Sequence, residues 1–270
     1  MGAEASLGAI MRAKGGELLA AHATTPQQRK VMRAIADCRT AAMDGHRDAC
    51  DRCGYEHVFW NSCRNRHCPG CGAGRRQQWL AARKEELLDV PYFHVVFTIP
   101  ECLHPVALYA QEILYAILLR AAGQALLDIG ATKLKARFAA LTILHTWSQI
   151  LTFHPHVHCI VPGGGFSLEG RRWVTVPDRM FLFAVQVLSR RFRTLVTNAI
   201  RDAYDDGTLV LPDSVVRNRQ SLDLLLARSW KTDWHSYVKP PFGGAQHVLA
   251  YLASYTHRMA IANSDRKSVV

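Results

Sequence analysis

The 270-residue sequence is long enough for one large domain or two modest ones, each with its own core. Hydrophobic residues make up 49% and charged residues 20%, a globular balance that excludes a wholly disordered or collagen-like chain. With 33 basic and 22 acidic residues the formal net charge is +11, which favours a polyanionic partner, nucleic acid before an anionic membrane surface.

In chain order, Thr25, Pro26 and Gln28 read as N-cap, N1 and N3 of a helix expected to run to about Met43, where Gly45 stops it. Residues 75–88 read as a helix ending before Pro91, and residues 93–99 as a short β-branched strand closed by Pro100. The spacing of Leu108, Ile113, Leu114, Ile117, Leu118 and Leu126 predicts a helix over 106–129. Arg120 interrupts its apolar run, so no membrane span is expected, and Glu4, Arg12, Lys14 and Glu17 break up any signal-peptide core. A cytoplasmic location, with nucleoid association when bound to DNA, is the corresponding expectation.

Strands are expected over 138–147, 156–161 and 171–176, the second closed by Pro162 and three glycines. A long amphipathic helix over 179–204 ends at Asp205-Asp206-Gly207. After a polar stretch, Pro240, Pro241 and a glycine pair lead into a helix from about Ala245. A helix, a cysteine-rich knot and then mixed strands and helices make an α+β fold. Two regions are expected: 1–90, a helix with a zinc-ribbon-like module, and 91–270, mixed strands and helices, for which the resemblance named below implies an antiparallel sheet with flanking helices.

Without an export signal, eight cysteines point to metal or catalysis rather than disulfides. Cys50-x-x-Cys53-Gly54 and Cys68-x-x-Cys71-Gly72 are two copies of one CxxCG pattern. Each brings two sulfurs to one side, and together Cys50, Cys53, Cys68 and Cys71 offer the four that a closed structural zinc site takes. Cys63, His57 and His67 lie in the same loop, with Cys63 the reserve ligand. Between His57 and Lys84 stand Arg64, Arg66, Arg75, Arg76, Arg83 and Lys84 and no acidic residue, with Phe59, Trp60 and Trp79 interleaved. Arginines pair with phosphates and aromatics stack on bases, so the stretch suits a DNA-contacting face. A solvated basic surface around a small tryptophan core is the competing reading.

The second cluster is His154-Pro155-His156-Val157-His158. On a strand, His156 and His158 share a face, forming half a site for a divalent metal, and His154 has the same parity. The third ligand stays open among His154, Gln149, Gln246 and His257. Tyr251 and Tyr255, four apart in the last expected helix, lie one turn apart on one face, where two core tyrosines would fit equally well.

These motifs in combination resemble the two-tyrosine HUH transposases of rolling-circle insertion sequences, the insertion-sequence-ninety-one family, with its N-terminal zinc-binding region. The likeness runs from about Thr25 to Asn263. It rests on Cys50-x-x-Cys53, the run from Ser62 to Cys71, Phe97-Thr98-Ile99-Pro100 and His145-Thr146-Trp147. It rests further on the run from His154 to Gly165, Pro241-Phe242-Gly243-Gly244, and the run from Tyr251 to Arg258. It implies Mg²⁺ or Mn²⁺ at His156 and His158 and tyrosine nucleophiles at Tyr251 and Tyr255. Such an enzyme nicks single-stranded or unpaired DNA and transfers the strand through 5′-phosphotyrosine links. Family members usually continue well past the tyrosine helix, so a C-terminal truncation is expected. Two rivals remain: a non-catalytic zinc-ribbon DNA-binding protein, and a His-metal phosphodiesterase that activates water. No GxGxxG, P-loop or HExxH pattern supports other chemistry.

Overall fold

Thr25 caps its helix as the sequence predicts. The Gln28 N–H donates to Thr25 Oγ1 at 3.2 Å, and the Thr25 N–H donates to Gln28 Oε1 at 2.8 Å, a reciprocal capping box with Pro26 at N1. The structure, a computed structural model, describes residues 6–148 and 152–241. By their internal contacts the described residues form two units, divided between Arg83 and Lys84.

In the first unit, α1 (Leu7–Ala21) packs on α2 (Pro26–Asp37). The helix α2 ends six residues before the expected Met43. Cys38 leaves the helix with extended backbone (φ −57°, ψ 124°), and Arg39 follows at φ +58°. An antiparallel hairpin, β1 (Gly45–Ala49) and β2 (Glu56–Trp60), was not anticipated; every residue of both strands is exposed. The helix α3 (Pro69–Glu85) starts six residues before the expected position, at the second CxxC itself.

The second unit is built on a four-stranded antiparallel sheet. Its strands are β3 (Tyr92–Thr98), β5 (Leu141–Trp147), β6 (Phe153–Pro162) and β9 (Ser236–Lys239), in the order β5-β6-β3-β9. Alternation divides its two faces. Phe93, Val95 and Phe97 of β3 and Val157, Cys159 and Val161 of β6 are fully buried and belong to the main core. That core also takes in apolar side chains of α5 (Gln111–Leu134) and α6 (Val185–Asp205), and Phe97 stacks on Phe192 at 4.7 Å. The opposite parity on β3 and β6 carries His94, His154, His156 and His158.

The helix predicted over 106–129 is two helices, α4 (His104–Tyr109) and α5, parted at Ala110, whose backbone is not helical (φ −122°, ψ 51°). Arg120 does not break α5, and by length and composition alone Gln111–Leu134 would be apolar enough to cross a membrane. Half of its most apolar window is buried inside the protein, which is the behaviour of a core helix. The helix predicted from residue 179 begins at Val185, after Ala184 in an extended conformation.

A three-stranded sheet, β4-β7-β8, completes the unit, with β4 at Ala136–Arg137, β7 at Gly164–Ser167 and β8 at Trp173–Thr175. The glycines after Pro162 are strand, not only a stop. A Cβ on Gly165 would lie 2.4 Å from the Arg137 carbonyl oxygen, so the chains approach closely there only without a side chain. The polar stretch after Gly207 holds α7 (Arg219–Trp230), N-capped by Asn218, and then β9. The helix expected from Ala245, with Tyr251 and Tyr255, lies outside the described residues, as do Gln149, Gln246 and His257.

Candidate metal centres

Cys38 ends α2 and Cys63 follows β2, and the base of the hairpin brings them together. There the Arg39 N–H donates to the Asn61 carbonyl at 3.1 Å, and the Asn61 N–H donates to the Asp44 carbonyl at 2.8 Å. Cys68 and Cys71 sit at the first turn of α3, where Cys71 N and Gly72 N both donate to the Cys68 carbonyl. The four sulfurs of Cys38, Cys63, Cys68 and Cys71 lie within 4.8 Å of one another. Cys38 Sγ is 3.5 Å and Cys63 Sγ 3.7 Å from Cys71 Sγ. A regular tetrahedron with Zn–S of about 2.3 Å has sulfurs about 3.8 Å apart, so the group fits zinc.

This corrects the expected ligand set. Cys68 and Cys71 belong to the cluster, but Cys50 and Cys53 do not: they are exposed at the far tip of the hairpin. Six residues at about 3.3 Å each put that tip about 20 Å from the base, out of reach of one ion. The place of Cys50 and Cys53 is taken by Cys63, the reserve ligand, and by Cys38, which the sequence reading missed because it lies outside any CxxC. Its signal was a cysteine ending a capped helix just before the cysteine-rich segment. Burial opposes ionisation of Cys71, but the thiols of Cys38, Cys63 and Cys68 and the Ser62 hydroxyl donate to it and bring its pKa down to about 7. Burial pushes Cys38 and Cys63 up. A thiolate at Cys71 is favoured further by its place at the N-terminus of a helix, whose dipole stabilises negative charge.

The histidine centre arises from strand register. His156 and His158 are two apart on β6, and His145 on β5 stands directly opposite His156. Directly opposed Cβ atoms are about 5 Å apart, which lets three rings converge. Ring centroids lie 4.8 Å apart for His156–His158, 4.9 Å for His145–His158 and 5.4 Å for His145–His156, and one nitrogen of each ring falls within 4.8 Å of the others. His145 and His158 are buried and His156 is partly so. The structure therefore brings His156 and His158 together and adds His145, which the sequence analysis noted in a motif but not as a ligand. His154 stays outside this group; its carbonyl accepts from His156 Nδ1 at 2.7 Å.

That bond fixes a tautomer. A carbonyl only accepts, so His156 Nδ1 carries the proton and Nε2 keeps the lone pair a metal needs. Burial, with the neighbouring His145 and His154, holds the His156 pKa down at about 4 against the opposing pull of its hydrogen bond to the His154 carbonyl. Behind the centre, His94 Nε2 lies 2.8 Å from His158 Nδ1, both side chains buried. Burial, Lys239 and His156 together depress His94 to about 4. Near neutral pH His94 and His156 are therefore neutral, the form in which imidazole binds a metal or accepts a hydrogen bond.

Of the arginines proposed to contact DNA, Arg64 and Arg66 are exposed between Cys63 and Cys68, and Arg64 has φ +50°. Arg66 Nε donates to His67 Nε2 at 3.2 Å. Arg75 and Arg76 lie on α3.

Comparison with known proteins adds two family matches. A transposase zinc-binding domain matches residues 10–99, and a family described as "Putative transposase" matches residues 139–267. The protein named "Putative transposase y4qJ" of Sinorhizobium fredii (strain NBRC 101917 / NGR234) is 44% identical over 260 residues. Both matched segments are thus similar to transposases, the first to the zinc-binding domain of the insertion-sequence-ninety-one family. The transposase for insertion sequence element IS801 of Pseudomonas savastanoi pv. phaseolicola is 27% identical over 230 residues. These alignments cover 94% and 84% of this chain but only 65% and 54% of the two relatives, so the chain spans less than two thirds of their length. Among solved structures, the conjugative relaxase TrwC with oriT DNA, metal-free, aligns over 91% of this chain and 88% of its own, at 12% identity and a TM-score of 0.34. Its metal-bound form aligns over 92% and 87%, at 12% identity and a TM-score of 0.32.

The cluster assignment has a direct test. Cys38→Ser is expected to remove the structural zinc and unfold the first unit, because zinc at such sites contributes on the order of 10 kcal/mol of folding energy. Cys50→Ser is expected to leave that zinc bound. Elemental analysis with a thermal melt reads both, and zinc lost from Cys50→Ser but kept in Cys38→Ser would reverse the assignment.

Proposed function

We propose that this transposase-family chain nicks single-stranded or unpaired DNA and transfers the strand through 5′-phosphotyrosine links made by Tyr251 and Tyr255. The observation that carries the proposal is the convergence of His145, His156 and His158 from two neighbouring strands on one face of the central sheet. Those three imidazoles would hold a divalent cation, which when bound supplies positive charge to the scissile phosphate. An all-imidazole donor set suits transition metals better than Mg²⁺, so of the two expected cofactors Mn²⁺ is favoured.

The chain's own groups do the rest. A tyrosine hydroxyl attacks phosphorus, the bond to the 3′ oxygen breaks, and that oxygen takes up a proton as a free 3′-hydroxyl. One phosphodiester replaces another, so the step reverses at a second site without an added energy source. Two tyrosines four residues apart in sequence would let two strand ends be held in turn. Arg64, Arg66, Arg75 and Arg76 would neutralise backbone phosphates, and an eleven-charge excess would draw DNA in generally.

The test is incubation of the purified chain with end-labelled single-stranded DNA from an element terminus and Mn²⁺, followed by a denaturing gel. A labelled band at the mass of protein plus DNA is the expected result. Binding without any covalent band would favour a DNA-binding protein with no catalysis, and cleavage without one would favour hydrolysis by activated water.

His94 is expected to act as a positioning residue. By accepting from a protonated His158 Nδ1, 2.8 Å away, it would leave His158 Nε2 for the metal and hold the ring. Removal of such a supporting partner typically costs about 10–100-fold in metal affinity. His94→Ala should weaken Mn²⁺ binding by that order in calorimetric titration, and His94→Asn, which keeps an acceptor, should recover part of it. Equal affinity in His94→Ala and the parent would refute the role.

A further inference from the structure

Cys50 and Cys53 are left over once the cluster is closed, yet they are built as ligands. The Cys50 N–H donates to the Tyr55 carbonyl and the Gly54 N–H to the Cys50 carbonyl, each at 2.8 Å, so a tight turn closes the hairpin. Gly54 sits at φ +68°, the left-handed backbone that glycine adopts freely. The turn brings the backbone N–H groups of Arg52 and Cys53 and the Cys53 thiol toward Cys50 Sγ. Amides directed at a sulfur stabilise a metal-bound thiolate.

Nothing described in the chain completes the coordination. The groupings of three or more potential ligands among the described residues are the four-sulfur cluster and the histidine triad, and neither includes the tip. His57 shares the hairpin face with Cys50, but its ring turns onto Phe59, centroids 4.4 Å apart. The tip is thus half of a tetrahedral site. The hairpin around it is uncovered as well: residues 44–61 are all exposed, including Tyr55 at 66%, Phe59 at 45% and Trp60 at 43%. A lone two-stranded hairpin is marginally stable in water, and among the described residues this one has neither two further ligands nor a packing partner.

We infer that Cys50 and Cys53 bind a second zinc ion, completed by the same two cysteines of a second copy of this chain. Two tips related by a two-fold axis supply four thiolates, the donor set of a closed zinc site, and place the exposed aromatic faces of two hairpins beside each other. The inference rests on reading the Cys38, Cys63, Cys68 and Cys71 cluster as a separate closed zinc site.

The experiment compares the full chain with its Cys50→Ser/Cys53→Ser variant, both zinc-saturated, freed of excess zinc and kept reduced with a phosphine. Mass is read by light scattering and metal by elemental analysis. The parent should be a dimer with about 1.5 zinc per chain, one in each cluster and one shared, and the variant a monomer with about one. A monomeric parent, or a variant that dimerises equally well, overturns the bridge. So does a parent dimer with only one zinc per chain. A folded variant that retains no zinc would instead refute the cluster reading, so the two failures are separable.

Discussion

Replacing both Tyr251 and Tyr255 by phenylalanine is expected to eliminate the covalent DNA adduct, with strand-transfer rates falling by about four orders of magnitude or more, as when a catalytic nucleophile is removed. Phenylalanine keeps the ring and removes only the hydroxyl. The hydroxyls are weak nucleophiles at neutral pH, with an unperturbed pKa of about 10, and depend on positive charge near the phosphate. Each single change should leave the first nick possible at the remaining tyrosine while impairing transfer that needs both in turn. The measurement is the labelled covalent band, with circular dichroism to show that the variant is folded. An undiminished band in the folded double variant would place the nucleophile elsewhere.

His145→Ala is the second change with a large expected effect. Charge stabilisation by a bound cation is worth several kcal/mol, which at about 1.4 kcal/mol per decade is on the order of a hundredfold to a thousandfold in rate. The loss should fall on Mn²⁺-dependent cleavage, leaving zinc content and binding to DNA near those of the parent. His154→Ala separates this from a general effect of removing a nearby ring. Its side chain lies outside the triad, so cleavage should fall by far less. If His154→Ala were the more damaging of the two, the third ligand would have been assigned to the wrong strand.

What the sequence carried was local. The capping box at Thr25 and Gln28, the glycine after Cys53, the parity of His156 and His158, and the strand and helix alternation after Phe93 depend on residues within one turn or one strand. The physics that fixes them, a capped N–H, a left-handed backbone, a two-residue repeat, acts over that same short range. The family resemblance followed from those runs, and the comparisons find transposases similar to both parts of the chain.

Tertiary structure decided which local pieces meet. Two CxxCG motifs look alike in sequence, yet one closes an exposed hairpin and the other opens a helix, and the length of the hairpin keeps them apart. Cys38 enters the cluster because the base of the hairpin joins α2 to the segment after β2, a contact between residues more than twenty apart. His145 completes the histidine centre because antiparallel register sets it opposite His156, and a shift of one residue would turn it to the other face. Sequence by itself determined which side chains are suited to bind metal and which backbone turns present them. Pairing between distant segments determined which of them share one ion, because register and loop length are set by the packing of the whole sheet and hairpin rather than by any residue's near neighbours.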